Sequence, residues 1–193
     1  MLIGFTGAQS TGKSTLLNQM FNDTSFRKCS FIKEVTRKVA RRGLNINELG
    51  DNVTQLFILN EHLTNHHLTG CTILDRCILD GWVYTQYLHE QGKVDKWVLD
   101  YAWKLLTLLV PKLDIIFYTD PVDVPLVDDK VRSVDKTFRE EIIRIYMELL
   151  SGENYCPDVE TMSLIRSRTV FLSGDVTTRY KTIEKTISTH NLI

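Results

Sequence analysis

An eight-residue segment near the N-terminus constrains the fold more than any other part of this sequence. It reads Gly7-Ala8-Gln9-Ser10-Thr11-Gly12-Lys13-Ser14. An apolar run over residues 1–6 precedes the segment, and apolar residues at helical spacing follow it. Its glycines permit a tight turn that leads from a strand directly into a helix. We therefore expect a buried strand, a glycine-rich turn and a helix in immediate succession.

This spacing, a glycine, four residues and then Gly-Lys-Ser, is the Walker A pattern. Loop N–H groups and the positive end of the following helix cradle phosphates. Lys13 can reach the β- and γ-phosphates, and the Ser14 hydroxyl can ligate Mg²⁺. The pattern predicts the phosphates of a nucleoside triphosphate and Mg²⁺ at this loop. The residues expected to bind the nucleotide at this loop are Gly7, Ala8, Gln9, Ser10, Thr11, Gly12, Lys13, Ser14 and Thr15.

Short apolar runs alternate with amphipathic segments along the chain. The predicted strands cover 1–6, 30–35, 71–76, 114–120 and 169–174. The predicted helices cover 13–21, 36–44, 53–68, 79–91, 95–110, 136–150 and 176–189. This alternation predicts an α/β fold, a five-stranded parallel sheet with helices on both faces. Together with the Walker A pattern it is typical of the three-layer P-loop NTPase fold. We expect one domain over residues 1–193, with a short lid at about 121–139.

Composition narrows the class of protein. The 193 residues carry a net charge of −1, with 43% hydrophobic and 24% charged residues, which excludes a disordered, collagen-like or disulfide-scaffold chain. This balance gives no electrostatic reason to expect duplex nucleic acid as the main partner. The N-terminus lacks a signal-peptide pattern, and no apolar run is long enough to span a membrane.

The cysteines suggest a cellular compartment. Cys29, Cys71, Cys77 and Cys156 lie far apart in sequence and form no CxxC pair. We therefore expect reduced thiols and a cytoplasmic location.

Charged residues close two of the predicted strands. Glu34 ends the second strand, and Asp75-Arg76 ends the third. Because ligands of open parallel sheets bind beyond the carboxyl ends of the strands, we expect these side chains near the phosphates. Glu34 or Asp75 would serve as general base or orient an acceptor hydroxyl, and Asp75 would also hold Mg²⁺. Arg76 would bind phosphate, unless the Asp-Arg pair is only a surface ion pair.

A basic segment surrounds Glu34. Residues 27–42 contain seven basic side chains and one acidic side chain. Arg37 and Arg41 would share one helix face. This face is either a clamp for an anionic second substrate, with Arg37 as a contact, or an ordinary solvated surface.

The charged loop after the fourth strand has two interpretations. As a mobile lid it would bring Arg132, and with it Lys136 or Arg139, onto the transferring phosphoryl group. Otherwise it is an exposed loop. The block is rich in both signs of charge, Asp-Asp-Lys-Val-Arg-Ser at 128–133.

Other residues carry weaker signals. His62 and His66 are spaced to share a zinc ion, but no third ligand is evident, and we expect a polar helix face. Trp82 and Tyr84 either line a pocket for a flat base or simply pack. One helical set is expected in the core: Trp97, Tyr101, Leu105, Leu108 and Leu109.

Together these residues resemble a known family. The chain is similar to P-loop kinases of the ribosylnicotinamide kinase type, found in the bacterial NAD-metabolism regulator and in phage-encoded relatives, and more distantly to deoxynucleoside and thymidylate kinases. The resemblance rests on 7–14, Glu34 with Arg37, Asp75, 128–133 and Asp-Val-Thr-Thr-Arg-Tyr at 175–180. It implies that Glu34 and Asp75 serve the acceptor and Mg²⁺. It also implies that Arg76, Arg132 and Arg139 contact phosphate, and that Arg179 lies near the adenine.

The expected activity is ATP- and Mg²⁺-dependent phosphoryl transfer to a nucleoside, a nucleotide or a related hydroxyl compound. One alternative keeps the chemistry and places the acceptor, a hydroxymethylated pyrimidine, within phage DNA. Another is a regulatory ATPase that changes a partner and has no small-molecule acceptor. The acceptor, the donor preference and the oligomeric state stay open at this point.

Overall fold

The computed structural model describes residues 1–122, 136–152 and 158–189. The five strands are β1 (Leu2–Thr6), β2 (Ser30–Ile32), β3 (Thr72–Asp75), β4 (Ile115–Thr119) and β5 (Thr169–Leu172). The eight helices of the described part are α1 (Lys13–Asn22), α2 (Val35–Ala40), α3 (Asn52–Asn65), α4 (Ile78–Glu90), α5 (Lys96–Leu109), α6 (Lys136–Ser151), α7 (Val159–Arg168) and α8 (Val176–Thr189). Short 3₁₀ turns lie at Thr24–Phe26, Asn47–Leu49 and Val110–Lys112.

The strands form one parallel sheet in the order β2-β3-β1-β4-β5. The connection that leaves β1 runs toward β2 at one edge of the sheet, whereas the connections that leave β3 and β4 run toward the opposite edge, so the connections change direction at β1. Ligands of open α/β sheets bind at such a switch point. The Gly7–Ser14 loop leaves the sheet at this position.

Alternating side chains of the strands serve two cores. Ile3, Phe5 and Phe117 point to the face that α1 and α8 cover. Ile116 and Tyr118 belong to the larger cluster on the opposite face, with residues of α3 to α7. Helices therefore cover both faces, and the predicted three-layer α/β fold is confirmed.

Helix α7 was not expected from the sequence. Its buried stripe is short, only Thr161, Met162 and Ile165. The Asp158 side chain caps it by accepting hydrogen bonds from the N–H groups of Glu160 and Thr161. β5 starts at the residue after the helix ends, with no turn residues between them to mark the boundary.

Two expectations about side-chain burial are wrong. Trp97 and Leu108 are each 56% exposed, because the buried stripe of α5 runs through Val98, Ala102 and Leu105 instead. His62 and His66 are buried rather than on a polar face, since α4 packs over this side of α3. Trp82 also packs in the core, edge-on to Trp103.

The expectation of reduced cysteines is wrong for Cys29 and Cys71, which form a disulfide. Cys29 directly precedes β2, and Cys71 directly precedes β3. The parallel register pairs the first residues of these strands, Ser30 and Thr72. That pairing brings the two cysteines together although 42 positions separate them in sequence. Cys77 is a free, buried thiol. Cys156 lies outside the described residues, as does Arg132 of the predicted lid.

Candidate active site

The Gly7–Ser14 loop has the backbone geometry of a phosphate cradle. Gly7, Ser10 and Gly12 have positive φ angles of 129°, 54° and 86°. A Cβ on Gly7 would lie 2.7 Å from Thr119 Oγ1 and 2.9 Å from Thr119 O, so only glycine fits against the end of β4. Gly12 is the N-cap of α1, which directs the first N–H groups of that helix toward the loop.

Neighbouring strands hold this loop in place. Thr11 Oγ1 donates to Ala8 O at 3.0 Å and lies 2.6 Å from Thr119 Oγ1. Arg179, which is buried, donates to Thr11 O at 2.7 Å, to Gly174 O at 2.7 Å and to Asp120 O at 2.9 Å. Arg179 therefore joins the loop to the ends of β4 and β5.

Lys13 lies within the loop. Its Nζ donates to Gly7 O at 2.7 Å, to Ala8 O at 2.6 Å and to Thr11 Oγ1 at 3.1 Å. Burial, together with the charge of Arg76, lowers the pKa of Lys13 to about 7, although nearby carboxylates oppose the shift. An anion beside this ammonium would favour its charged form.

The loop fits a polyphosphate. Nε2 of Gln9 is buried and has no hydrogen-bond partner in the described part of the chain, so this loop residue carries a donor suited to a phosphoryl oxygen. Thr15, the last residue of the predicted nucleotide site, is exposed on α1.

A cavity of about 320 Å³ opens beside α1 and the ends of β2 and β3. Ser14 of α1, Glu34 and Arg37 at the start of α2 and Asp75 of β3 all line it, so the structure brings together four predicted site residues from three elements. Its apolar walls come from Leu17, Phe21, Phe31 and Ile73. The volume is at the lower end of the range of small-molecule sites, about 300–1,000 Å³.

Ser14 and Asp75 fit Mg²⁺ bound together with a nucleotide. The described residues contain no group of three or more His, Cys, Asp or Glu side chains able to hold a metal by themselves. Mg²⁺ bound with phosphates needs fewer protein ligands, because phosphate and water oxygens complete its coordination.

Glu34 is buried between two arginines. Its Oε1 accepts from Arg76 Nε at 2.6 Å, and its Oε2 accepts from Arg37 Nε at 3.3 Å. Arg37 is 38% exposed, whereas Arg76 is only 6% exposed. Arg37 therefore borders the cavity, and Arg76 lies inside the protein rather than on its surface.

Arg76 also pairs with Asp80, which sequence reasoning missed. Arg76 Nη1 donates to Asp80 Oδ1 at 2.6 Å. The signal was present in the sequence: an acidic residue four positions after Arg76, in the first turn of α4. Tyr84 lies beneath the guanidinium, with its ring centroid 5.1 Å from Arg76 Cζ.

The lid residues are only partly covered by the structure. Arg139 is half-buried near the start of α6, where its Nη2 donates to Pro121 O at 3.3 Å. This bond brings Arg139 to the end of β4, on the sheet edge where the loop lies. Lys136 is exposed, and the lid segment 123–135, which contains Arg132, lies outside the described residues.

The AAA domain family matches residues 2–161. The chain belongs to this family. Among proteins with curated descriptions, none is significantly similar in sequence to this AAA domain.

Solved structures show the same fold. The AAA domain resembles deoxyadenosine kinase from M. mycoides with the products dCMP and dCDP bound, with a TM-score of 0.69 and 15% identity over 98% of this chain and 100% of the other. It also resembles the NadR protein in complex with NR, with a TM-score of 0.68 and 16% identity. That match covers 97% of this chain and 50% of NadR. The predicted resemblance to ribosylnicotinamide and deoxynucleoside kinases is confirmed for the fold.

No helix in the described ranges combines the length and apolar character needed to cross a membrane.

Proposed function

We propose that this AAA domain transfers the γ-phosphoryl group of ATP to a hydroxyl or phosphate of a nucleoside, a nucleotide or a related compound. One observation carries the proposal: a cavity of about 320 Å³ joins Ser14 of the nucleotide loop to Glu34 and Asp75 at the ends of two strands. A regulatory ATPase needs a nucleotide loop, but it has no need for an acceptor-sized cavity beside two carboxylates.

The donor half of the site consists of the phosphate loop and Lys13. The loop N–H groups and the Lys13 ammonium would bind the β- and γ-phosphates, and Arg179 would keep the loop in shape beside the adenine. Ser14 and Asp75 would hold Mg²⁺, which neutralises charge on the transferring group. Arg132 and Arg139 would approach the same group from the lid.

The acceptor half is built around Glu34. Arg76 holds one carboxylate oxygen, and the other lies against Arg37 at the border of the cavity. That second oxygen is the one that can receive the proton of an acceptor hydroxyl, once Arg37 turns toward the acceptor. Apolar walls suit a flat base, and the two similar kinases bind nucleoside-type molecules, NR and dCMP.

A second candidate acceptor is a hydroxymethylated pyrimidine within DNA. Lys33 lines the cavity, and four further basic residues of the 27–42 segment, Arg27, Lys28, Arg41 and Arg42, are exposed. Such a surface can contact phosphates on either side of a base, although the net charge of −1 does not favour it.

The experiment is phosphoryl transfer from γ-labelled ATP to a panel of nucleosides, nucleotides and hydroxymethylated DNA. We expect label in one acceptor class and no label with Lys13→Ala. The control is Lys104→Ala, which changes an exposed lysine of α5 and should label the acceptor as the wild type does. Labelled DNA with binding that weakens steeply in salt would select the second candidate. Hydrolysis of ATP with no labelled acceptor would contradict both and favour a regulatory ATPase.

An ATP-dependent kinase works where ATP is present, so the cytoplasm of a bacterium or of a phage-infected cell stays the proposed location. The Cys29–Cys71 disulfide is unusual for that compartment.

A further inference from the structure

Three ionisable side chains form a continuous run of ion pairs beneath the phosphate loop. Glu34 pairs with Arg76, and Arg76 pairs with Asp80, both at 2.6 Å. Their exposed fractions are 6%, 6% and 3%. Buried charges at such distances are strongly coupled, because little water screens them.

Asp80 is held by groups other than Arg76 as well. While its Oδ1 accepts from Arg76, its Oδ2 accepts from Thr6 Oγ1 at 2.7 Å and from the N–H of Cys77 at 3.1 Å. Thr6 Oγ1 also lies 3.1 Å from the hydroxyl of Tyr146 on α6. Asp80 is thereby fixed to the end of β1, to the start of α4 and, through Thr6, to α6.

Arg76 depends on these contacts for its position. Its backbone has a φ of +79°, a strained value for a non-glycine residue. Beside Asp80 and Tyr84, Arg76 borders a cavity of about 20 Å³ that His62 also lines, which is room for about one water molecule.

We propose that Asp80 is a positioning residue: it anchors the Arg76 guanidinium, which in turn holds Glu34 Oε1 and directs the other carboxylate oxygen toward the acceptor. This role rests on the proposed function, in which Glu34 serves the acceptor. It also reassigns Arg76, from the phosphate contact expected from the sequence to the link between two carboxylates.

The first test is a double-mutant cycle. Asp80→Asn keeps the size of the side chain and an oxygen for Cys77, but removes the charge that holds Arg76. We expect kcat to fall at least about tenfold while the KM for ATP changes less than about twofold. In a Glu34→Gln background Asp80→Asn should lower kcat less than about twofold, because the carboxylate that Asp80 positions is already lost.

The matched control is Asp100→Asn, which removes an exposed carboxylate of α5 that pairs with Lys96. It should leave kcat unchanged. If Asp80→Asn lowers kcat equally with and without the Glu34 carboxylate, the proposal is overturned. A parallel loss of ATP binding would overturn it as well, since both results indicate a purely structural role.

The second test does not require activity. The Nε–H signal of Arg76 is assigned in a ¹⁵N spectrum as the signal that Arg76→Lys lacks. In the wild type this hydrogen should exchange slowly with solvent. In Asp80→Asn we expect its exchange to accelerate at least about tenfold while the backbone amides of α4 keep their protection. If the wild type labels no acceptor, the proposed function fails, and this signal alone decides whether Asp80 anchors Arg76. Unchanged protection would overturn the anchoring.

Thr6→Val covers the case in which Asp80→Asn does not fold. It removes one hydrogen bond to Asp80 and leaves every charge in place. We expect smaller effects of the same kind as in Asp80→Asn: Arg76 Nε–H exchange should accelerate and kcat should fall, each by about two- to fivefold. A Thr6→Val protein with wild-type values for both would overturn the proposal.

Discussion

Lys13 shows how strongly the loop is prepared for an anion. Its ammonium is 2% exposed and donates to two carbonyls and a hydroxyl, none of which carries a full negative charge. Burying a cation without a direct anionic partner is costly, and burial accordingly lowers the pKa of Lys13 to about 7. Binding of a polyphosphate would remove that cost.

This cost predicts a pH-dependent stability. Below pH 7 Lys13 is protonated in the folded and unfolded chains, so the full penalty applies. Above pH 7 the folded protein releases a proton that the unfolded chain keeps up to about 10.5. The free energy of unfolding should therefore rise from pH 7 to 9 relative to Lys13→Met, with a slope approaching about 1.4 kcal/mol per pH unit.

Urea unfolding of the nucleotide-free protein at pH 7, 8 and 9 measures this difference. The comparison with Lys13→Met cancels the titration of all other groups that the two proteins share. If the free energies of unfolding of the two proteins change in parallel over this range, the pKa of Lys13 is not lowered and its charge is already compensated.

Asp75 is a second residue whose environment predicts a measurable result. It ends β3, pairs in register with Phe5 of β1 and lines the cavity with Ser14. Asp75→Asn should lower kcat by at least about 100-fold, because in the proposed function the carboxylate would act on Mg²⁺ or on the acceptor hydroxyl in the transition state. ATP binding measured without metal should change little, and a change confined to thermal stability would make Asp75 structural.

At the scale of elements, the site depends on how strand ends meet. β1, β3 and β4 end at one edge of the sheet, and each contributes a polar residue there: Thr6, Asp75 and Thr119. Arg179 of α8 adds a buried brace from the far side of the loop. The phosphate loop is therefore held by elements distant in sequence, which favours a preorganised binding geometry.

The segment between β4 and α6 carries a prediction from the sequence. Arg132 belongs to it, and its expected role on the transferring phosphoryl group stays a prediction. Arg132→Ala should lower kcat by about 10³–10⁵ with little change in the KM for the acceptor. Arg132→Lys should rescue poorly, because a point charge cannot make the bidentate contact.

Steady-state kinetics separate the possible outcomes for Arg132. A loss mainly in the acceptor KM would mean that this arginine binds a phosphate of the acceptor, which would then be a nucleotide or DNA. Wild-type values for both parameters would contradict the lid assignment.

At the scale of the molecule, the Cys29–Cys71 disulfide closes a loop of 42 positions that contains Glu34, α2 and α3. A cross-link of this length restricts the unfolded chain, and its removal should lower the free energy of unfolding by about 2–4 kcal/mol. We expect this loss in Cys29→Ala/Cys71→Ala, and Cys77→Ala serves as the thiol control.

Alkylation under non-reducing conditions, followed by mass measurement, checks the bond itself. The wild type should leave Cys29 and Cys71 unmodified until a reductant is added. Immediate modification of both cysteines in the unfolded, unreduced protein would contradict the disulfide and restore the expectation of reduced thiols.

The sequence by itself determined what depends on local pattern. Strand and helix periodicities predicted all five strands and the three-layer fold, because burial on one or two faces leaves a period that can be read directly. The spacing from Gly7 to Ser14 predicted the loop, because its chemistry lies within eight consecutive residues. Strand ends pointed to Glu34 and Asp75, since parallel strands end at one edge.

Only the tertiary structure decided what depends on which surfaces meet. It buried His62 and His66, exposed Trp97, joined Cys29 to Cys71 and placed Asp80 against Arg76. Each of these results from the packing of one element on another, and a linear pattern does not specify its partner. Arg76 illustrates the difference: the sequence located it at a strand end, but only the tertiary structure placed its charge between Glu34, at the start of α2, and Asp80 of α4.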